Sequence, residues 1–139
     1  MAHNFQLHSS LKNTLCDTVV DLADYGPGAG VVKVYDGVQP ATCDTAVTTQ
    51  TLLVTIPLNF PAFSASSGGV ATLLTSPAPS ATAAATGTAT WFRMAPDAGA
   101  GLQICDGTVG TSGADLNLST TSIVASATVQ ITGGTITVS

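Results

Sequence analysis

The chain has 139 residues, of which 45% are hydrophobic and only 8% are charged, and its formal net charge is −5. Lys12, Lys33 and Arg93 are its only fixed cations, so it lacks the basic stripe that binding to nucleic acids or anionic membranes requires. No apolar run approaches the roughly 20 residues of a membrane-spanning helix, and the N-terminal sequence lacks the features of a secretory signal. We therefore expect one soluble domain that is made in the cytosol.

The composition favours strands over helices. The eight acidic residues are all aspartates, while Thr and Ser supply 22 and 12 residues. Helices rich in Lys and Glu normally provide much of the charge of a globular domain, and that charge is missing here. Thr and Val are stiff at χ1 and suit a pleated surface better than a helix. We therefore expect a β-rich protein.

Residues 10–25 depart from that trend. Leu11, Leu15, Val19 and Leu22 recur at helical spacing, which predicts an amphipathic α-helix with these side chains on one face. Ser9 or Ser10 is the expected N-cap, and the Gly-Pro-Gly sequence at 26–28 should end the helix. The opposite face carries four polar residues: Asn13, Asp17, Asp21 and Asp24. We interpret this face as solvated; the alternatives are a docking stripe for a basic partner and a weak divalent-ion site.

After residue 30 the apolar period changes from about four to two, which indicates strands with one dry face. The clearest predicted strands are 32–35, 52–56 and 127–132, and the pattern repeats at 136–138 beyond Gly133-Gly134, a two-residue hairpin signal. Further candidates are 70–75, 88–95 and 102–106, with a turn at 96–99. Residues 76–87 are low in complexity and predict a surface loop.

About seven short strands predict a mainly β fold: an antiparallel β-sandwich or jelly-roll-like domain preceded by one N-terminal amphipathic helix. In this organisation residues 1–28 form the N-terminal arm and helix, and residues 29–139 form the β-sandwich of a single compact domain.

The sequence offers little catalytic chemistry. His3 and His8 are its only histidines, and both precede the helix, where a general base or metal triad is not expected. The cysteines lack metal-type spacing, and we interpret the glycines at 28–30 as a helix stop. Segments 106–110 and 113–117 miss the spacing of a calcium loop and predict turns. We predict no catalytic residue, cofactor or metal; a deep pocket lined by Asp106 and Asp115 would reopen the question.

The chain contains three cysteines, so at least one is free or bonded to another chain. Cys16 lies on the flank of the helix, Cys43 lies in a loop, and Cys105 lies opposite the apolar face of its predicted strand. None is expected on a core face. The ordinary role of a free cysteine is that of a small buried hydrophobe, and intermolecular disulfides are the alternative.

Aromatic residues provide further candidate contacts. Trp91 and Phe92 are neighbours on one predicted strand and must point to opposite faces, so we expect one in the core and the other exposed beside Arg93 or Met94 as an interface residue. Phe5 and Leu7, in the arm before the helix, form a second candidate. Both predict contact with protein.

Five stretches carry a family resemblance: GAG at 28–30, VYDGVQPAT at 34–42, PAF at 61–63, GTATWFR at 87–93 and DGTVGTSGADLNL at 106–118. Together they resemble a widespread family of small structural proteins of tailed bacteriophages, over most of the chain from about Leu11. The resemblance implies a helix and a β-sandwich that coat or cement the capsid shell, with no catalytic residues. The three cysteines are not part of the family pattern.

We therefore predict a non-enzymatic virion protein, a minor capsid or decoration subunit on the outer capsid surface that is assembled in the host cytoplasm. The pI of about 4.3 agrees with a position away from packaged DNA. The expected partners are the major capsid protein, other virion proteins and further copies of the chain. The candidate interface and disulfide residues are Phe5, Leu7, Cys16, Cys43, Trp91, Arg93 and Cys105. The alternatives are a receptor- or glycan-binding β-sandwich of a phage tail or neck appendage, and a cell-surface adhesin or layer protein.

Overall fold

The computed structural model describes residues 4–96 and 103–138. Helix α1 spans Ser9–Asp21 and continues into a 3₁₀ turn at Leu22–Asp24, which confirms the predicted helix. Its N-cap is His8 rather than a serine: Nδ1 of the imidazole accepts a hydrogen bond from the Ser10 backbone N–H at 3.2 Å. The chain turns away after the helix at Gly26, whose φ of 120° suits glycine.

Ten strands follow the helix among the described residues, where about seven were predicted. Their bounds are β1 Val31–Tyr35, β2 Leu52–Pro57, β3 Val70–Thr72, β4 Ser80–Thr82, β5 Gly87–Thr88, β6 Trp91–Ala95, β7 Cys105–Gly110, β8 Leu116–Leu118, β9 Ser122–Ile123 and β10 Thr128–Thr137. The mainly β fold class with one N-terminal helix is thereby confirmed.

Eight strands form one sheet in the order β2-β1-β6-β7-β8-β10-β3, with β4 also paired to β10. All of its pairs are antiparallel except β7 with β8, and β5 pairs separately with β9. The sheet is curled. This is shown by a hydrogen bond between its two ends: the Ala84 N–H, just after β4, donates to the Leu53 carbonyl of β2 at 2.7 Å. Strand β2, which begins the strand order, thus lies close to β4, which pairs with β10.

The main core lies inside this curl. Its members come from both halves of the sheet and include Val34, Ile56, Met94, Leu118 and Ile131, all of which are essentially inaccessible to solvent. A smaller cluster of Cys16, Val20 and Ala71 joins helix α1 to β3, with Ile136 of β10 packed beside it.

Several predicted boundaries are wrong. Residues 128–137 form one continuous strand through Gly133-Gly134, not a hairpin. The predicted loop at 76–87 contains β4, whose Ala81 pairs with Val129. The predicted strand 88–95 divides into β5 and β6. Strand β7 begins at Cys105 and includes segment 106–110, which was predicted as a turn. Leu102 and most of the predicted 96–99 turn lie outside the described residues.

Gly30 positions the helical segment against the sheet. A Cβ at this position would lie 2.5 Å from the Ala23 carbonyl oxygen of the 3₁₀ turn and 3.0 Å from that of Ala95 in β6. Only glycine allows so close an approach of two backbone segments. The glycines after the helix therefore also serve packing, beyond the predicted helix stop.

Candidate interaction surface

Helix α1 presents its apolar face to solvent. Leu11, Leu15 and Leu22 are 46%, 41% and 43% exposed, whereas Cys16 and Val20 are buried against the sheet. On a helical wheel at 100° per residue, the side that carries Cys16 and Val20 lies well over 90° from the side that carries the three leucines. Asn13, Asp17 and Asp24 therefore point toward the protein, and the interpretation of this face as solvated is wrong for these three residues, whereas Asp21 is exposed as expected. We call Leu11, Leu15 and Leu22 the apolar helix surface.

Hydrogen bonds to one segment hold the helix in this orientation. The segment at 62–69 directs backbone N–H groups toward α1 and its 3₁₀ turn, and buried N–H groups need acceptors. Three helix side chains accept them: Asn13 from Gly69 at 2.8 Å, Asp17 from Ser66 at 2.8 Å and Asp24 from Ala62 at 3.0 Å. These bonds provide specific anchors that the spacing of the leucines does not reveal.

Burial accompanies one of these contacts. The pKa of the Asp24 carboxyl is raised above its ordinary value, chiefly because burial disfavours the charged form. The Ala62 N–H acts in the opposite direction, and repulsion from Asp21 adds to the increase. The Asp24 carboxylate that accepts the hydrogen bond from Ala62 is therefore partly desolvated.

Two outward threonines of α1 are compatible with a dry contact. The hydroxyls of Thr14 and Thr18 donate to the backbone carbonyls four residues earlier, at 3.1 and 2.8 Å. Their polar hydrogens are therefore satisfied within the helix. Tyr25, just after the 3₁₀ turn, is 63% exposed.

The N-terminal arm lies beside the helix. Phe5 is 84% exposed, and Leu7 is half-buried. Together with Gln6 and Lys12 they line an open hollow of about 430 Å³. The arm thus leaves one aromatic ring exposed in the single chain, and contact of Phe5 and Leu7 with another protein stays a prediction.

Trp91 and Phe92 are both buried, at 1% and 5% exposure. Phe92 belongs to the core inside the curl. The Trp91 ring stacks on Tyr35 on the other face of the sheet, with a centroid distance of 4.5 Å, and its indole N–H donates to the Asp36 carbonyl at 3.1 Å. Loop 36–51 contributes to covering that face, so the prediction that one of the two aromatics is exposed is wrong.

Arg93 is also buried, at 3% exposure, and its charge is used internally. Its Nε and Nη2 donate to the two carboxylate oxygens of Asp106, both at 2.7 Å, and Nη1 donates to the Thr45 carbonyl at 2.8 Å. The hydrogen bonds to Asp106 raise the pKa of Arg93 above its ordinary value, although burial acts in the opposite direction. Its predicted role as a surface interface residue is therefore wrong, and only Lys12 and Lys33 remain as partly accessible fixed cations.

The three cysteines are unbonded, and no two lie at disulfide distance. Cys16 is fully buried and its Sγ donates to the Ile136 carbonyl at 3.5 Å, so its predicted absence from the core is wrong. Cys43 and Cys105 are half-buried. Burial raises the pKa of all three thiols, that of Cys105 to about 12.

Asp106 and Asp115 border one small groove of about 190 Å³ between β7 and β10. That is below the usual size of small-molecule sites. Both carboxylates have internal partners: Asp106 binds Arg93, and Asp115 accepts hydrogen bonds from the backbone N–H and hydroxyl of Thr108 at 2.9 and 3.0 Å. Both carboxylates that border the groove are therefore engaged in hydrogen bonds within the protein.

Among the described residues, no group of three or more His, Cys, Asp or Glu side chains is arranged to hold a metal ion. In the same part of the chain, no helix has the length and apolarity needed to cross a membrane. Comparison with protein-family models, curated proteins and solved structures finds no match to this chain.

Proposed function

We propose that the chain is a non-enzymatic structural protein of a phage virion, a decoration subunit that binds the outside of the capsid through the apolar helix surface and the N-terminal arm. The observation that carries the proposal is the orientation of α1. Three leucines face solvent while polar side chains of the same helix hydrogen-bond to the protein. Leucines at i, i+4 and i+11 on one helix face suit a complementary apolar groove on a partner.

Isolated exposed leucines are normal on soluble proteins. A contiguous apolar row is less common and marks contact surfaces. Here Leu11, Leu15 and Leu22 lie on one side of the helix with the half-buried Val19 between Leu15 and Leu22, and the exposed ring of Phe5 belongs to the arm that leads into the same helix. This continuity supports one docking surface rather than several scattered contacts.

Charge supports an outer position. The net charge is −5, and Asp106 neutralises Arg93 internally, so the accessible surface carries few positive groups. Such a surface is repelled by packaged DNA. A subunit that binds only the assembled shell stabilises that shell by the free energy of binding.

The proposal is tested on density-purified particles from host cells in which the phage carries either the natural gene or a Leu11→Gln/Leu15→Gln/Leu22→Gln triple variant. With the major shell protein as the reference for counting, we expect hundreds of copies of the natural protein per particle. We expect most of these copies to be lost in the triple variant. The matched control is Val38→Gln, because Val38 is 80% exposed and lies in loop 36–51.

Each outcome decides a different part of the proposal. Absence of the natural protein from purified particles would refute the virion role, and six to a few dozen copies would move it to the tail or neck. Full retention of the triple variant would show that another surface docks.

A further inference from the structure

A concave surface next to strands β2 and β3 shares no residue with the apolar helix surface. Residues 59–61, which follow β2, and residues 73–77, which follow β3, line an open groove of about 520 Å³. This volume lies in the range typical of small-molecule sites. We call it the Phe60 groove.

The walls of the Phe60 groove are fixed by one side chain. Nδ2 of Asn59 donates to the carbonyls of Leu74 and Pro77, both at 2.9 Å, and so ties the two lining segments together. The Leu74 N–H also donates to the Ala62 carbonyl at 2.9 Å. The groove is therefore largely formed before any ligand binds, which reduces the entropic cost of binding.

The groups that line the groove are aromatic or neutral and polar. The Phe60 ring is 65% exposed. Asn59 Oδ1 and the hydroxyls of Thr75 and Ser76 have no hydrogen-bond partner within residues 4–96 and 103–138. Neither lining segment contains a charged residue. A ligand that fits this set is uncharged, has an apolar face for the ring and carries several hydroxyl groups.

We propose that the Phe60 groove binds a neutral saccharide, whose apolar ring face packs on Phe60 while its hydroxyls bond to Asn59 Oδ1, Thr75 and Ser76. A charged sugar or a nucleotide is disfavoured, because no lining side chain would compensate its charge. A proline-rich peptide could also contact an aromatic ring, but it would leave the hydroxyl groups of the groove without matching partners. This site is independent of the docking role proposed above.

The test is a titration of the full chain, labelled with ¹⁵N, with glucose, galactose, mannose, N-acetylglucosamine and their neutral disaccharides, followed by NMR. We expect amide shift changes confined to residues 59–60 and 73–76 for at least one sugar, with a dissociation constant on the order of millimolar, as usual for so small a ligand. Phe60→Ala should weaken binding roughly tenfold or more. Thr75→Val, which keeps the side-chain shape, should weaken it less.

Phe5→Ala is the matched control, because Phe5 is an exposed phenylalanine outside the groove. Its affinity for the sugar should equal that of the natural chain. The exposure of Phe60 makes its removal tolerable to the fold, which the dispersion of the variant's spectrum verifies. The proposal is overturned if no sugar shifts the groove amides, if Phe60→Ala binds as well as the natural chain, or if only a proline-rich peptide shifts them.

Discussion

Arg93 and Asp106 face each other across the β6–β7 pair and share two hydrogen bonds of 2.7 Å, with side chains only 3% and 4% exposed. The same guanidinium holds loop 36–51 through the Thr45 carbonyl and lies 5.5 Å from the centre of the Trp91 ring. The guanidinium of Arg93, a group that would suit a partner surface, instead links the sheet to loop 36–51 inside the protein.

We expect Arg93→Met alone to lower the free energy of unfolding by about 3–5 kcal/mol, because it leaves the buried Asp106 carboxylate without its charge partner. The double variant Arg93→Met/Asp106→Leu should recover much of that loss, since it removes both charges from the interior. Urea unfolding of the two variants measures the difference. Lys33→Met is the control, because Lys33 is the cross-strand neighbour of Arg93 on β1 and makes no ion pair among the described residues. If Arg93→Met lowers the free energy of unfolding by less than about 1 kcal/mol, Arg93 does not act as a buried link between the sheet and the loop.

The orientation of α1 predicts a reversed pattern of helix substitutions. Leu15→Gln should change the free energy of unfolding by less than about 0.5 kcal/mol, because Leu15 is 41% exposed and glutamine is a good helix former. Val20→Ala should cost about 2 kcal/mol, because Val20 is buried against the sheet. Thermal and urea unfolding test both variants. The opposite order would mean that the leucines pack on the sheet and that the apolar helix surface does not exist.

Asp24 is predicted to reduce stability as the pH rises. Burial raises the pKa of its folded-state carboxyl above the unfolded value of about 3.9, so the folded state holds the proton more tightly. Stability therefore falls as the pH rises through the interval between the two pKa values. Asp24→Asn keeps an oxygen acceptor for the Ala62 N–H and removes repulsion from Asp21, so we expect a gain of about 0.2–0.5 kcal/mol at pH 7.

That gain should disappear below pH of about 4, where the natural carboxyl is itself protonated. Unfolding of both proteins between acidic and neutral pH measures it. Asp44→Asn is the control, because Asp44 is exposed in a loop. A loss of stability at neutral pH in Asp24→Asn would show that the charge strengthens the Ala62 hydrogen bond more than burial penalises it.

The cysteines should differ in reactivity. Cys16 is fully buried and the pKa of Cys105 is about 12, so neither supplies much thiolate at pH 8. Cys43 lies in the loop and is partly accessible, although its own pKa is raised. We expect a chromogenic disulfide reagent to label Cys43 slowly in the folded protein and all three thiols after unfolding.

By the same ranking, Cys43 is the cysteine expected to form the intermolecular disulfide that the sequence leaves open. Oxidation of the natural chain should give dimers that Cys43→Ser abolishes and Cys16→Ser does not. Dimers that persist in Cys43→Ser would place the link at Cys105 or require local opening of the helix at Cys16.

Local periodicity sufficed to locate α1, β1, β2 and the apolar positions of β10, because those patterns depend on neighbouring residues. It was insufficient for the orientation of α1, since the anchors that decide it join residues far apart in the chain, such as Asp17 and Ser66. It also missed the burial of Trp91, because a strand pattern does not show that a distant loop covers the second face of the sheet. The Phe60 groove had no local signal, since its two walls meet only in the fold.

Substitution of Gly133 distinguishes a continuous β10 from the hairpin that the sequence predicts, and substitution of Gly30 provides the contrast. Type I′ and II′ turns need positive φ at a central residue, whereas Gly133 does not have a positive φ and a Cβ there would meet nothing within 4 Å. Gly133→Ala should therefore be neutral or raise the free energy of unfolding by up to about 1 kcal/mol, because it restricts the unfolded chain. Gly30→Ala should lower it by about 1–3 kcal/mol, because its Cβ would collide with the Ala23 and Ala95 carbonyls. Chemical unfolding gives both values, and a marked loss in Gly133→Ala would indicate a turn at that position and divide β10 in two.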